Sequence, residues 1–208
     1  MIDIRKAVTG PIETNTYIIK ADDGRTIIVD PSIGQERVLA TVKAERLDVA
    51  AAILTHCHFD HFGGLDEVLK AFPNAEVCAS PDAGIFLSDP DKNGSSMMGR
   101  RLTYTGPRRD LPDGIATVAG FEISVFLIPG HSPCGLCFLL DGNLFSGDVL
   151  FAGTIGRTDF PFCSEAVLLD GIRNKLLPLS DDTVVWPGHG GRTTIGREKR
   201  LNPFLAES

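Results

Sequence analysis

At 208 residues, 43% of them hydrophobic, the chain is long enough to bury a sizeable core, and residues 1–208 read as a single domain. A net charge of −7 argues against a nucleic-acid partner. Met1–Arg5 does not open a secretory leader, no apolar stretch is long enough to span a bilayer, and five cysteines, an odd number, read as reduced thiols, so a cytoplasmic protein without a membrane partner is expected.

The first patterned segment is the apolar run Val49–Leu54, of strand type, followed at once by Thr55-His56-Cys57-His58-Phe59-Asp60-His61. In extended chain alternate side chains share a face, which puts His56, His58 and Asp60 on one side and Cys57 and Phe59 on the other. A turn at Asp60-His61, supported by Gly63-Gly64, brings a further imidazole round to join them. A helix follows, with Leu65, Val68, Leu69 and Phe72 at i, i+3, i+4 and i+7, and Pro73 ends it. Residues 82–114, irregular and rich in turn formers around Asp89–Ser96, read as loop, either a lid or a surface excursion.

Three more apolar runs each end in a metal-ligand type. Ile123–Ile128 leads into Gly130-His131, Leu144-Phe145 into Ser146-Gly147-Asp148, and Thr183–Trp186 into Gly188-His189. The glycine before each ligand lets the backbone turn sharply and approach an ion closely. The four strands are expected to deliver His or Asp from loops at one end of a sheet. A lone histidine is ordinarily a satisfied core or surface residue, but here four ordered clusters use all five histidines of the chain. Five imidazoles with the carboxylates of Asp60 and Asp148 are too many donors for one tetrahedral zinc. They suit two ions sharing a bridging carboxylate and a bridging water. A donor set without thiolate fits zinc, iron or manganese.

Cys134-Gly135-Leu136-Cys137 has the spacing of a redox pair or half a zinc site, but no second pair exists. Cys137 belongs to the apolar run Leu136–Leu140, so packing is the expected role. Cys163, after Phe160-Pro161-Phe162, is placed at a substrate mouth. Arg197, Lys199 and Arg200 form either a solvated helix face or a cradle for an anionic substrate near His189.

His56-x-His58-x-Asp60-His61, then His131, Asp148 and His189 in that order, resembles the metallo-β-lactamase-fold superfamily along the length of the chain. Ile27-Ile28-Val29-Asp30-Pro31 stands where that family has an aspartate ending an early strand. The resemblance implies a four-layer αββα sandwich with metals at the edge between two β-sheets. It implies one metal on His56, His58 and His131, the other on Asp60, His61 and His189, and Asp148 bridging two divalent ions, with zinc foremost.

Gly147–Phe160 and the tail Gly188–Pro203 resemble the glyoxalase II-like branch and its small bacterial members. That implies hydrolysis of a small-molecule thioester, of the hydroxyacyl-glutathione kind, by a metal-activated hydroxide that Asp60 orients. A thiolate, with a reference pKa of about 8.5, leaves without a general acid. Arg157, Lys199 and Arg200 are the candidate substrate contacts. The chain stops soon after Pro203, without the helical domain of that enzyme, and Gly190 and Gly191 replace its glutathione-contacting aromatic residue. Persulfide dioxygenases are similar too, through Gly156–Phe160, and imply a single iron on His56, His131 and Asp148.

Overall fold

The computed structural model describes residues 2–205. Asp141-Gly142 links the strands β9 (Leu136–Leu140) and β10 (Asn143–Gly147), both residues with positive φ. That is the tight turn whose twist matches paired strands, and Gly142 takes its left-handed φ without a side-chain penalty. The same device at Ala119-Gly120 joins β7 (Gly114–Val118) to β8 (Phe121–Leu127). The meander β7-β8-β9-β10 is extended by β13 (Val184–Pro187), parallel to β10, and β14 (Thr193–Thr194), giving a sheet ordered β14-β13-β10-β9-β8-β7.

A second six-stranded sheet runs β1 (Ile2–Thr9), β2 (Thr14–Ala21), β3 (Arg25–Val29), β4 (Asp48–Ile53), β5 (Glu76–Ala79) and β6 (Arg109–Asp110). From β3 onwards neighbours are parallel. Edge strand β1 alternates in burial, whereas β3 is buried along nearly all its length, as expected of a strand covered on both faces.

The two sheets face each other over an apolar layer in which Phe138 stacks on Phe145 at 4.8 Å and Tyr17 meets Phe145 edge-on at 5.4 Å. Helices α1 (Glu36–Ala44), α2 (Phe59–Phe62), α3 (Leu65–Ala71) and α4 (Ala83–Leu87) belong to the side of the first sheet, where Val38, Val42, Leu65 and Leu87 are buried. Helix α5 (Glu165–Gly171), continued by a π-turn at Ile172–Leu176, and α6 (Ile195–Leu201) cover the second through Leu168, Ile172 and Ile195. The result is the αββα sandwich that the resemblance implies. The helix expected after Gly63-Gly64 is α3, ending before Pro73.

Two expectations change. The four ligand-bearing strands do not share a sheet: β4 belongs to the first, and β8, β10 and β13 to the second. An apolar run followed by a ligand carries no record of which sheet it joins. The stretch 82–114 is more ordered than loop, since it contains α4, a 3-10 turn at Ser95–Met98 and β6. Asn93, fully buried, organises it by donating to the carbonyls of Phe86 (3.2 Å) and Leu102 (2.9 Å) and accepting from Ser95 N (3.0 Å). No described helix is long and apolar enough to cross a membrane.

Candidate metal centre

His56 leaves the end of β4, and the chain stays extended to His58, whose ψ is 145°. Cys57 is thereby turned into the core, as the alternation predicts. The helical turn α2 begins at Phe59, ahead of the expected turn at Asp60-His61, and buries Asp60 and His61. Gly130 and Gly147 have positive φ, allowing the sharp turns that present His131 and Asp148. Gly188 is needed for space: a β-carbon there would collide with Asp148 Oδ1 and His61 Cε1.

The five histidines and two aspartates converge. His58 Nδ1 lies 2.9 Å from His56 Nε2 and 3.0 Å from His131 Nε2. Asp60 Oδ2 lies 3.2 Å from His61 Nε2 and 3.4 Å from His189 Nε2. Asp148 stands between the two groups, with Oδ1 3.4 Å from His61 Nε2 and Oδ2 3.6 Å from His131 Nε2 and 3.5 Å from His189 Nε2. Ligands held tetrahedrally at about 2.0–2.1 Å from one zinc stand roughly 3.4 Å apart, so these spacings are those of donors around an ion.

Two observations show that the residues fit cations. His61 Nε2 and Asp148 Oδ1 are buried and close no hydrogen bond, which is costly unless something else satisfies them. The far ring nitrogens are anchored: His61 Nδ1 on Asp30 Oδ2 at 2.9 Å, His131 Nδ1 on the Arg157 carbonyl at 2.8 Å. Donation there fixes the tautomer and aims the Nε2 lone pair into the cluster, as outer partners of metal-bound histidines do.

The imidazoles and carboxylates of the cluster shift one another's pKa values. Burial, the largest influence on His61, lowers its pKa, but Asp60, Asp148 and Asp30 together raise it well above the usual value. The same contest, won by Asp148 and Asp60, lifts His189 to about 10. Burial opposes ionisation of Asp60 and Asp148, yet the facing imidazoles hold both well below the usual carboxylate range. Burial and His131 bring His58 down to about 4. Burial, with His61 next, also holds His56 well below its ordinary value.

A cavity of about 890 Å³ opens onto this cluster and is lined by His58, Asp60, His131, Asp148 and His189 on one side. Arg157 also lines it. Lys199 and Arg200 do not: on α6 they face Asp181, at 2.6 Å and 3.7 Å, on the second sheet's outer layer. Their local charge pairing, invisible in a run of basic residues, removes them from the cavity wall. Cys163 is not a lining residue either, its thiol lying 2.9 Å from the His131 carbonyl. Cys134 and Cys137 point into different apolar clusters, so the Cys-x-x-Cys spacing is a packing feature.

Sequence reasoning missed several supporting groups. Thr14 Oγ1, fully buried, donates to Asp60 Oδ2 at 2.8 Å. Asp30, which the family resemblance alone had flagged, accepts from Thr55 N (2.7 Å) and Thr55 Oγ1 (2.6 Å) as well as from His61. Asn15 Nδ2 and Tyr17 Oη both donate to the Pro187 carbonyl, at 2.9 and 2.5 Å, and so hold the loop that carries His189. The signal was present in Thr14-Asn15-Thr16, three polar residues directly ahead of the apolar Tyr17-Ile18-Ile19 in β2.

Residues 9–189 match the family described as the metallo-beta-lactamase superfamily. The hydroxyacylglutathione hydrolase GloC of Haemophilus influenzae is 36% identical, the match covering 93% of each chain. Among solved structures, the B3 metallo-beta-lactamase BLEG-1 is 40% identical with a TM-score of 0.94, covering 99% of this chain and all of that one. TTHA1623, solved in a di-iron-bound form, is 33% identical with a TM-score of 0.86, covering 97% of this chain and all of that one.

Proposed function

Because the chain belongs to the metallo-β-lactamase superfamily, we propose that it is a hydrolase that cleaves a small-molecule thioester at a two-metal centre. His56, His58 and His131 would hold one ion, Asp60, His61 and His189 the other, and Asp148 would join them. When bound, two such ions supply Lewis acidity and bring the pKa of a water towards neutrality. Zinc suits the donors, and so does iron, the metal in TTHA1623.

The observation that carries this reading is that Asp148 reaches both histidine groups, with neither of its oxygens engaged elsewhere among the described residues. Thr14 donates to Asp60 and fixes that carboxylate beside the reacting centre. His61 is held by Asp30 through Nδ1, which keeps its Nε2 turned to the cluster. Glu198, buried in α6, accepts from Gly153 N at 2.7 Å and so ties α6 to the hairpin of β11 (Leu150–Phe151) and β12 (Thr154–Ile155) just after Asp148. All five histidines lie in the cluster, so none remains to protonate a poor leaving group, whereas a thiolate leaves unaided. The name of the Haemophilus relative makes a hydroxyacyl-glutathione the first thioester to assay. Five cysteines, none in a disulfide, suit a reducing compartment, and we assign the reaction to the cytoplasm as one domain acting on a free small molecule.

Thioester cleavage with exclusion of oxygen, two metals per chain by elemental analysis, and loss of both activity and the second metal in Asp60→Ala are expected. Oxygen consumption on a persulfide by protein carrying one iron, surviving Asp60→Ala, would establish a dioxygenase instead. A second hydrolytic reading, β-lactam cleavage, is favoured by the likeness to BLEG-1. It is supported over the first if the loaded protein opens a chromogenic cephalosporin faster than any thioester.

A further inference from the structure

We infer that the non-reacting part of the substrate is apolar and uncharged, held by Met97, Met98 and Phe162 at the cavity mouth and by Phe160 inside; this rests on the thioester reading above. Three observations carry it. The first is size: about 890 Å³ is far more than a thioester carbonyl fills and lies in the range of small-molecule pockets. The second is the rest of the lining: Ile12, Met97, Met98 and Phe162 line the same cavity, as do Phe160, 6.2 Å from the His58 ring, and Phe151, 6.3 Å from that of His189. Met97 is 71% exposed and Phe162 67%, so large apolar side chains gather at one opening instead of being scattered. They stand on a fixed frame, because Met97 and Met98 lie in the 3-10 turn that the buried Asn93 secures through Ser95 N.

The third observation is charge. Arg157 is engaged by Asp159 through two 2.7 Å hydrogen bonds and lies over the Phe160 ring at 4.0 Å. Lys92 lies 3.5 Å from Asp89, and Asp91 lines the cavity beside them. Among the described residues no other lysine or arginine lines the cavity. An anionic thiol such as glutathione, with two carboxylates, would therefore compete with side-chain carboxylates for both cations. An uncharged chain only displaces water from apolar surface. Methionines, flexible and polarizable, accommodate apolar groups of several shapes, which predicts tolerance within that class.

The test uses acyl thioesters from acetyl to octanoyl, each made with N-acetylcysteamine, an uncharged thiol, and with glutathione. With metal-loaded protein, kcat/KM is expected to rise on the order of threefold per added methylene. The N-acetylcysteamine ester is expected to match or exceed its glutathione counterpart, and Met97→Ser with Met98→Ser to flatten the series. Binding of a non-hydrolysable octyl thioether to metal-free protein, followed by calorimetry at several temperatures, should show a negative heat-capacity change that shrinks in the double variant. A flat chain-length series, or a tenfold preference for glutathione, overturns the inference and leaves thioester hydrolysis standing. No turnover of any thioester overturns the reading beneath it. Calorimetry then decides alone: binding lost in the double variant supports an apolar ligand, and no binding removes the inference.

Discussion

Asp30→Asn is the most informative single substitution. It keeps size and shape at a position that is 1% exposed, but exchanges one acceptor oxygen for a donor. Oδ1 accepts from Thr55 N, while Oδ2 accepts from both Thr55 Oγ1 and His61 Nδ1. Whichever way the amide is placed, its NH2 opposes at least one N–H that has nowhere else to turn. Losing a charge-assisted hydrogen bond and stranding a buried donor each cost about 1–3 kcal/mol. A total near 3 kcal/mol corresponds to roughly 6–12 °C in Tm for a chain of this length. The second effect is on metal: with His61 no longer held in one tautomer, affinity at the Asp60–His61–His189 group should fall about 10–100-fold while the His56–His58–His131 group is largely spared. Differential scanning calorimetry and chelator-competition titration read the two effects separately. Unchanged affinity at the second group, with the protein destabilised, would refute the claim that Asp30 orients His61 and leave it a folding residue only.

Asp148→Ala should reduce metal content below two per chain and lower kcat by at least about 100-fold, since it removes the one carboxylate that reaches both groups; elemental analysis with steady-state kinetics checks this. Glu198→Ala strips the partner from Thr193, Arg197, Gly153 and Asn202 and should cost about 3 kcal/mol in urea denaturation, with Glu198→Gln recovering part of it. Metal affinity should climb with pH between 6 and 8, by up to about tenfold per unit for each proton displaced, because His61 and His189 are held protonated above their ordinary range. A flat profile would mean that no proton is displaced. For metal-free protein the signs are opposite on the two sides. The raised His189 contributes stability fully present below 6.5 and lost as pH rises through about 10, and the lowered Asp60 and Asp148 contribute stability present above 3.8 and lost in acid. Its melting temperature should therefore decline above neutrality, and the decline should vanish with metal bound. Of five cysteines, only half-buried Cys163 should be alkylated under native conditions, by intact mass.

The site was legible where chemistry demanded a rare residue at a strand end. His56, His58, His131 and His189 each follow an apolar run, and a run plus a ligand is a local pattern. What the pattern lacked was partnership across distance. Nothing near Leu144 says that β10 joins β13, or that β4 lies in the opposite sheet, so four strands in two sheets looked like four strands in one. Lys199 and Arg200 show the same blindness, because Asp181 that neutralises them lies 18 residues away from Lys199. Asp141-Gly142, by contrast, is a hairpin signal carried by two adjacent residues, and it was there to be read. Asn93 was hidden for another reason: a polar residue in a stretch full of turn formers reads as loop until its buried carbonyl partners are seen.

The grip of β2 on the His189 loop has a consequence in time. Asn15 N donates to the Gly188 carbonyl, Thr14 pairs with His189, and Asn15 Nδ2 reaches the Pro187 carbonyl across 172 residues of chain. A ribosome that has released His56, His58 and His61 has delivered three donors clustered in sequence but only fragments of either group. The first group would wait for His131, and the second for His189. Filling of the second group would thus follow closure of β2 on the His189 loop. A cation bound earlier would sit on an incomplete set of ligands and exchange readily. Arrested chains ending before and after His189 should differ in the number of ions they retain through a chelator wash, even though both contain most of the fold.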